Sequence, residues 1–238
     1  MTILIFVSKI SIITLSSLGS IISIISTNLE TKITQLLLIV HSNIETGTLV
    51  ISGNGAMADY SASSGAPWYQ YRSSVTSLTI EEGITIIGNR SLNYLAIETL
   101  SLPTTTTKIN PNAFRNCSSL KEVTISGNIT SINDCAFQNC TALAKVTINE
   151  GTQAITWRAF KGCTSLESIT IPSSVYYVGT NSFAGNELLK KVTLIGNAIF
   201  SSKESGITIC EGAFKDCENL TEFIKGYRRI EKTMEEIC

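Results

Sequence analysis

Four cysteines in this chain keep one rhythm. Cys117, Cys140 and Cys163 recur at a constant step of 23, and Cys217 closes the same phrase further on: "AFRNC", "AFQNC", "AFKGC", "AFKDC". Thiols on a fixed period raise nucleophilic catalysis, metal ligation, disulfide formation or plain packing. A Cys–His or Ser–His–Asp centre needs a base, and the chain's single histidine, His41, lies outside the periodic region, so neither centre exists inside it. A histidine-based metal site falls for the same reason, and no CxxC spacing points to zinc or to thioredoxin-like redox chemistry. Seven cysteines in 238 residues are too few for a disulfide-dense scaffold, and an odd number does not pair completely. Two local pairings, Cys135 with Cys140 and Cys210 with Cys217, stay open, and Cys238 is left at the terminus. The periodic slot accepts Asn186 once, which marks it as a corner where a small group packs or bonds to turn backbone.

The other candidate chemistry is thinner. "SGNGAMA" places Gly53, Gly55 and Ala58 as GxGxxA after a plausible strand. The pyrophosphate of a dinucleotide needs a helix N-terminus there, and the chain runs on instead into "DYSASSGAP". A turn is the expectation. The acidic residues form no repeated pair of the kind a glycosidase or a calcium ladder uses. Asn-x-Ser/Thr sequons begin at Asn89, Asn116, Asn128, Asn139 and Asn219, and these become glycan acceptors if a eukaryotic cell secretes the chain. At 43% hydrophobic, 16% charged and net charge −1, the composition argues for a sizeable core, against disorder and against nucleic acid as the main partner.

The elements that position these residues come from an internal repeat. Ala113-Phe114, Ala136-Phe137, Ala159-Phe160 and Ser182-Phe183 share that step of 23, and Ala213-Phe214 follows after a step of 31. An eight-residue insertion therefore falls near residues 197–206. Leu120, Leu143, Leu166, Leu189 and Leu220 keep the same time. Each is followed three residues on by Val123, Val146, Ile169, Val192 or Phe223, and then by Ile125, Ile148, Ile171 or Leu194; Lys225 breaks the last. Ile97, Leu100 and Leu102 fill these slots one unit earlier, and Val75, Leu78 and Ile80 two units earlier. "L-x-x-V-T-I" reads as a short strand with alternate residues inward. A second apolar piece (Ile129 and Ile132, Ile155, Val175 and Val178) reads as the opposite wall of each coil. One coil has nothing to bury against, so the units must stack.

The unit "L-x-x-V-T-I…I-x-x-x-A-F-x-x-C-x-x-L" resembles the BspA-like leucine-rich repeats. The prelude "GTLVISGNGAMADY…APWYQYR…VTSLTIEEGITIIG" resembles the segment that opens this family's arrays, so the likeness covers residues 47–224. It implies a β-rich solenoid of about seven 22–23-residue coils over residues 75–225, one of them enlarged. A non-repeat β segment over 46–74 precedes it, whose Trp68, Tyr69 and Tyr71 read as a cap on the core end or else as a sticky surface patch. Residues 1–26, "MTILIFVSKISIITLSSLGSIISIIS", are expected to form an apolar helix serving as signal peptide or membrane anchor, or else are an atypical start. Residues 27–45 carry no assignment, residues 33–40 reading as a short helix or strand, and 226–238 form a tail. The resemblance also implies a cell-surface or secreted, non-catalytic adhesion module without cofactor, binding protein or glycan, host extracellular matrix among the candidates. Its expected binding face is the outward side of the strands: Thr99, Ser101, Glu122, Thr124, Lys145, Thr147, Ser168, Thr170, Lys191 and Thr193. The alternatives are a spacer array with no ligand of its own, and a Thr column chosen only because Thr suits a solvated strand.

Overall fold

The computed structural model describes residues 20–26, 37–43, 47–62, 65–195, 207–225 and 228–229. The "VTI" phrases form strands Glu122–Ile125, Lys145–Ile148, Ser168–Ile171 and Lys191–Leu194, in which buried residues alternate with exposed or half-buried ones. β-branched side chains favour this extended conformation, and its two-residue period sends Val and Ile inward while Thr, Lys, Glu and Ser point out. Neighbouring strands pair parallel and in register: Val146 faces Val123 and Thr147 faces Thr124, then Val192 faces Ile169 and Thr193 faces Thr170. Together with Thr48–Ser52, Ser77–Ile80, Thr99–Leu100 and Glu222–Lys225 they form the front wall. The back wall is one seven-stranded sheet whose pieces include Lys108–Ile109, Ser131–Ile132, Ala154–Ile155 and Tyr177–Val178, again parallel.

Between the walls lies one apolar column. The Phe of each "AF" phrase is fully buried, and the rings stack in sequence. Phe114, Phe137, Phe160, Phe183 and Phe214 lie at centroid distances of 5.2, 5.3, 5.4 and 5.3 Å with interplanar angles of 11° or less. Phe223 closes the row edge-on to Phe214. The longer step before Ala213-Phe214 leaves the register intact, since Lys191 pairs with Glu222 as it does with Ser168. The proposed insertion, near 197–206, lies outside the described residues.

Two expectations at the amino-terminal side are corrected. Where a helix was expected over residues 1–26, Ser20–Ser26 is a strand, antiparallel to Leu37–Asn43, which is itself antiparallel to Thr48–Ser52. β-branched Ile interspersed with Ser suits a strand better than a helix; residues 1–19 lie outside the described residues. The segment read as non-repeat over 46–74 carries a full pair of walls. Thr48–Ser52 pairs parallel with Ser77–Ile80, and Gly55–Ala56 pairs parallel with Ile84–Ile87. Leu49 and Ile51 enter the core completely. The aromatic cluster divides. Trp68 is buried, donates its indole N–H to the Ser91 carbonyl at 2.8 Å and packs edge-on to Tyr60, while Tyr69 stays half-buried beneath the Arg72 guanidinium. Trp68 thus serves the core.

Two glutamates staple consecutive coils, which the sequence did not reveal. Glu150 accepts the backbone N–H groups of Ser173 and Ser174, both at 3.0 Å, and the Ser173 hydroxyl. Glu82 accepts the equivalent groups of Thr104 and Thr105. The backbone N–H of Ser173 foremost, and of Thr104 for Glu82, holds these carboxyls below the usual glutamate range. A carboxyl with a lowered folded-state pKa contributes stability that is present above the unfolded-state value and lost as pH falls through the folded one. Glu150→Gln is therefore expected to lower Tm near neutral pH, with the deficit shrinking as pH falls below the ordinary glutamate range. Calorimetry from pH 7 to pH 3 checks it; a deficit constant with pH would refute the staple's ionic character.

Candidate functional site

The outward side of the front wall carries two rows. One is Thr124, Thr147, Thr170 and Thr193, the first and third exposed and the others half-buried. The other is Glu122, Lys145, Ser168 and Lys191, all exposed, continued by Thr99 below and Glu222 above. Ser101 is exposed just past the strand Thr99–Leu100. In-register parallel pairing places equivalent residues about 4.8 Å apart. The ten expected face residues are thus brought together on one wall.

The charges of this wall are neutralised within it. Lys145 Nζ lies 3.7 Å from Glu122 Oε2, and Lys191 Nζ 3.6 Å from Glu222 Oε2. A further row at the strand starts, not singled out from the sequence, repeats the device: Lys121 with Glu98 at 2.6 Å and Lys190 with Glu167 at 3.5 Å. Its signal was available, because each of these lysines follows its glutamate at the repeat step of 23. All four pairs are solvent-exposed, so they add little stability; their consequence is a face with hydroxyls and balanced charge. It offers hydrogen bonds in both directions. Among the described residues no three His, Cys, Asp or Glu side chains converge to hold a metal ion.

The cysteine slot is a corner device. Cys117, Cys140, Cys163 and Cys217 donate their thiols to the carbonyls of Leu92, Phe114, Phe137 and Phe183 at 3.1 to 3.3 Å, one coil back. Burial pushes the Cys117 and Cys163 thiols up to about 12, and Cys140 well above its ordinary range. A protonated, buried thiol is a donor and not a nucleophile. Cys135, Cys140 and Cys210 are free thiols, so neither local disulfide forms; Cys238 lies outside the described residues. Native iodoacetamide treatment is expected to leave Cys117, Cys140 and Cys163 unmodified, with all three labelled after denaturation. Peptide mass spectrometry reads the difference, and rapid native labelling of Cys140 would contradict the buried assignment.

One coil breaks the pattern at two nearby slots. Ser182 replaces the alanine of "AF", and Asn186 replaces the cysteine. Asn186 Oδ1 accepts the Cys163 N–H at 2.8 Å, but Asn186 Nδ2 and Ser182 Oγ are buried without partners. A buried polar atom without a partner costs about 1–3 kcal/mol. Ser182→Ala, which restores the residue of four other coils, is expected to raise stability by about 1 kcal/mol in urea unfolding; a loss would mean the hydroxyl is bonded in solution.

The five sequons separate by environment. Asn128 and Asn219 are exposed, with side-chain amides on the Thr104 and Glu187 carbonyls. Asn116 and Asn139 are half-buried corner residues at φ of 62° and 60°, joined to each other by a 3.0 Å hydrogen bond. Asn89 is half-buried with a buried, unpartnered Oδ1. The corner conformation favours Asn and Gly, so the sequons at Asn116 and Asn139 have a folding reason to exist. Around Gly53 and Gly55 no helix starts, which leaves the GxGxxA pattern as a turn and short strand.

Parallel strands in register, a second wall behind them, and Leu, Phe and Cys columns between define a leucine-rich-repeat solenoid. A family model for the BspA type leucine rich repeat region matches in six copies over residues 65–190, more than half of the chain. The chain belongs to this family. It is similar in structure to a leucine-rich repeat protein from Bacteroides ovatus, with 23% identity over 63% of this chain and 42% of that one and a TM-score of 0.47. It is also similar to a T. pallidum leucine-rich repeat protein, with 23% identity over 75% and 64% and a TM-score of 0.47. A leucine rich cell surface protein from Faecalibacterium prausnitzii matches at 18% identity over 77% and 61%, with a TM-score of 0.39. The chain spans less than two thirds of the length of each of these. No curated protein matches. Among the described residues no helix is long and apolar enough to cross a membrane.

Proposed function

We propose that this chain is a non-catalytic binding module of a cell-surface or secreted protein, and that it engages a protein ligand through the front wall. The observation that carries this reading is the in-register Thr124, Thr147, Thr170 and Thr193 row beside a charge row paired within itself. Such a wall presents hydroxyls at a regular pitch without a net field, which suits an extended partner over a compact charged one. Membership of a family of surface repeat proteins supports the extracellular setting, with residues 1–26 as signal or anchor and Asn128 and Asn219 as the exposed glycan acceptors. Host extracellular matrix is the first ligand class to try.

Solid-phase binding to matrix proteins tests it, comparing the intact chain with a Thr124→Glu, Thr147→Glu, Thr170→Glu variant whose fold is verified by circular dichroism. Loss of binding in the folded variant is the expected result; equal binding would remove the front wall from the account. The pairing of Glu122 with Lys145 and of Lys191 with Glu222 inside the chain also fits a spacer array with no ligand. That reading expects no phenotype from the same variant in the native host.

A further inference from the structure

The back wall carries a feature that the repeat does not require. Its outward slots hold Thr107, Thr130 and Gln153 in three successive coils, and then Tyr176; four positions along, they hold Pro111, Asp134, Trp157 and Thr180. The core beneath is complete, since Ile155 and Val178 are fully buried. Yet Trp157 is 41% exposed and Tyr176 58% exposed. Exposed aromatic rings of this size carry a hydration cost that a polar residue would avoid.

The rings are held in place. The Arg158 guanidinium lies 4.0 Å above the Trp157 ring, which fixes the indole and covers one of its faces. Tyr177, between the other two in backbone position, is half-buried. Its ring runs along the wall over Gly179, since a Cβ at Gly179 would sit 3.1 Å from Tyr177 Cε1; the same Cβ would sit 3.0 Å from the backbone nitrogen of Trp157 in the coil before. Tyr176 and Tyr177, with Trp157 in the coil before, thus follow one line of backbone positions across two adjacent coils. Its length is about 13 Å at 3.3 Å per residue. Gln153, Thr180 and Asp134 flank that line and are exposed, and Asp134 is bonded to Thr156.

We infer that this line of rings is a saccharide-binding platform for a neutral, linear oligosaccharide, separate from the front wall. A sugar ring has an apolar C–H face that stacks on an aromatic ring, and hydroxyls at its edge that need partners in the plane of the platform. The rings supply the first and Gln153, Thr180 and Asp134 the second. Asp134 and Arg158 oppose each other in charge, which favours a neutral sugar over a sialylated or sulfated one.

The test uses the full chain on an array of neutral and sialylated oligosaccharides, with a proline-rich decapeptide as the alternative ligand for aromatic rings. The expected result is retention of neutral linear glycans, weakened about three- to tenfold by Trp157→Ala or Tyr176→Ala and abolished by both together. The front-wall Thr→Glu variant is expected to bind these glycans like the unmodified chain, so failure of one face is distinguishable from failure of the other. Tryptophan emission gives a second reading, because Trp68 is buried and Trp157 is exposed: a bound sugar shifts the exposed component, and Trp157→Phe removes the shift. Retention of no neutral glycan, equal retention by the double variant, or binding of the decapeptide alone overturns the inference.

Discussion

Replacing Phe160 by alanine is expected to cost about 3–5 kcal/mol of folding stability. The ring is fully buried, with Phe137 at 5.3 Å on one side and Phe183 at 5.4 Å on the other. Its loss removes two stacking contacts and leaves a cavity between coils that are fixed by their own strand pairs. In a solenoid each coil is stabilised by its neighbours, so a cavity in the middle also weakens the coupling between the two halves of the array. Urea unfolding followed by circular dichroism is expected to show a lower midpoint and a shallower or two-step transition. Phe160→Leu is expected to cost less, because Leu92 fills the same slot, fully buried, in an earlier coil. An alanine variant whose stability differs from the unmodified chain by less than about 1 kcal/mol would mean the ring column is not what couples the coils.

The second large effect is expected at Gly127, where the constraint is backbone against backbone. A Cβ there would run into the carbonyl oxygen of Glu150 in the next coil. Neither partner has a rotamer to escape through, so the coils must separate locally. Gly127→Ala is expected to cost about 3 kcal/mol and also to disturb the Glu150 staple, since the displaced carbonyl belongs to the residue that holds Ser173 and Ser174. Gly185→Ala is the control: nothing lies within 4 Å of the place its Cβ would take, although its φ of 69° retains a conformational cost. If both variants unfold at the same urea concentration, the close approach at Gly127 is not limiting.

How much of this was legible in sequence depends on what each slot must satisfy. A core slot accepts few side chains, so Leu, Phe, Ala and Val/Ile recur and the columns can be read directly. Thr48–Ser52 escaped recognition as a coil strand because the step from Leu49 and Ile51 to Leu78 and Ile80 is 29, not 23. Nor does an Ala-Phe phrase follow them. The corner residues escaped for a different reason. Each coil needs left-handed backbone just before its "AF" phrase, and Arg90, Asn112, Cys135, Arg158 and Asn181 all supply it; a demand met by such different side chains leaves no consensus. The glutamate staples join one coil to the next with no apolar signature. The strand face was readable as a set of positions, because alternation fixes which residues point outward, but the pairing of its charges needed the register. The aromatic line on the back wall was invisible, since its members belong to coils whose equivalent slots hold Thr, Gln, Asp or Pro.

Residues far apart in sequence line up on one wall because the coils stack in register. The most direct measurement is a pulsed-EPR distance between spin labels at Thr79→Cys and Thr193→Cys, with the native cysteines left unlabelled in their buried slots and Cys210 and Cys238 replaced by serine. Five steps of about 4.8 Å give an expected Cα separation of about 24 Å and a single narrow distribution. A broad distribution, or a mean beyond about twice that five-step length, would show that the front wall is not one continuous ladder, and the proposed binding face would go with it.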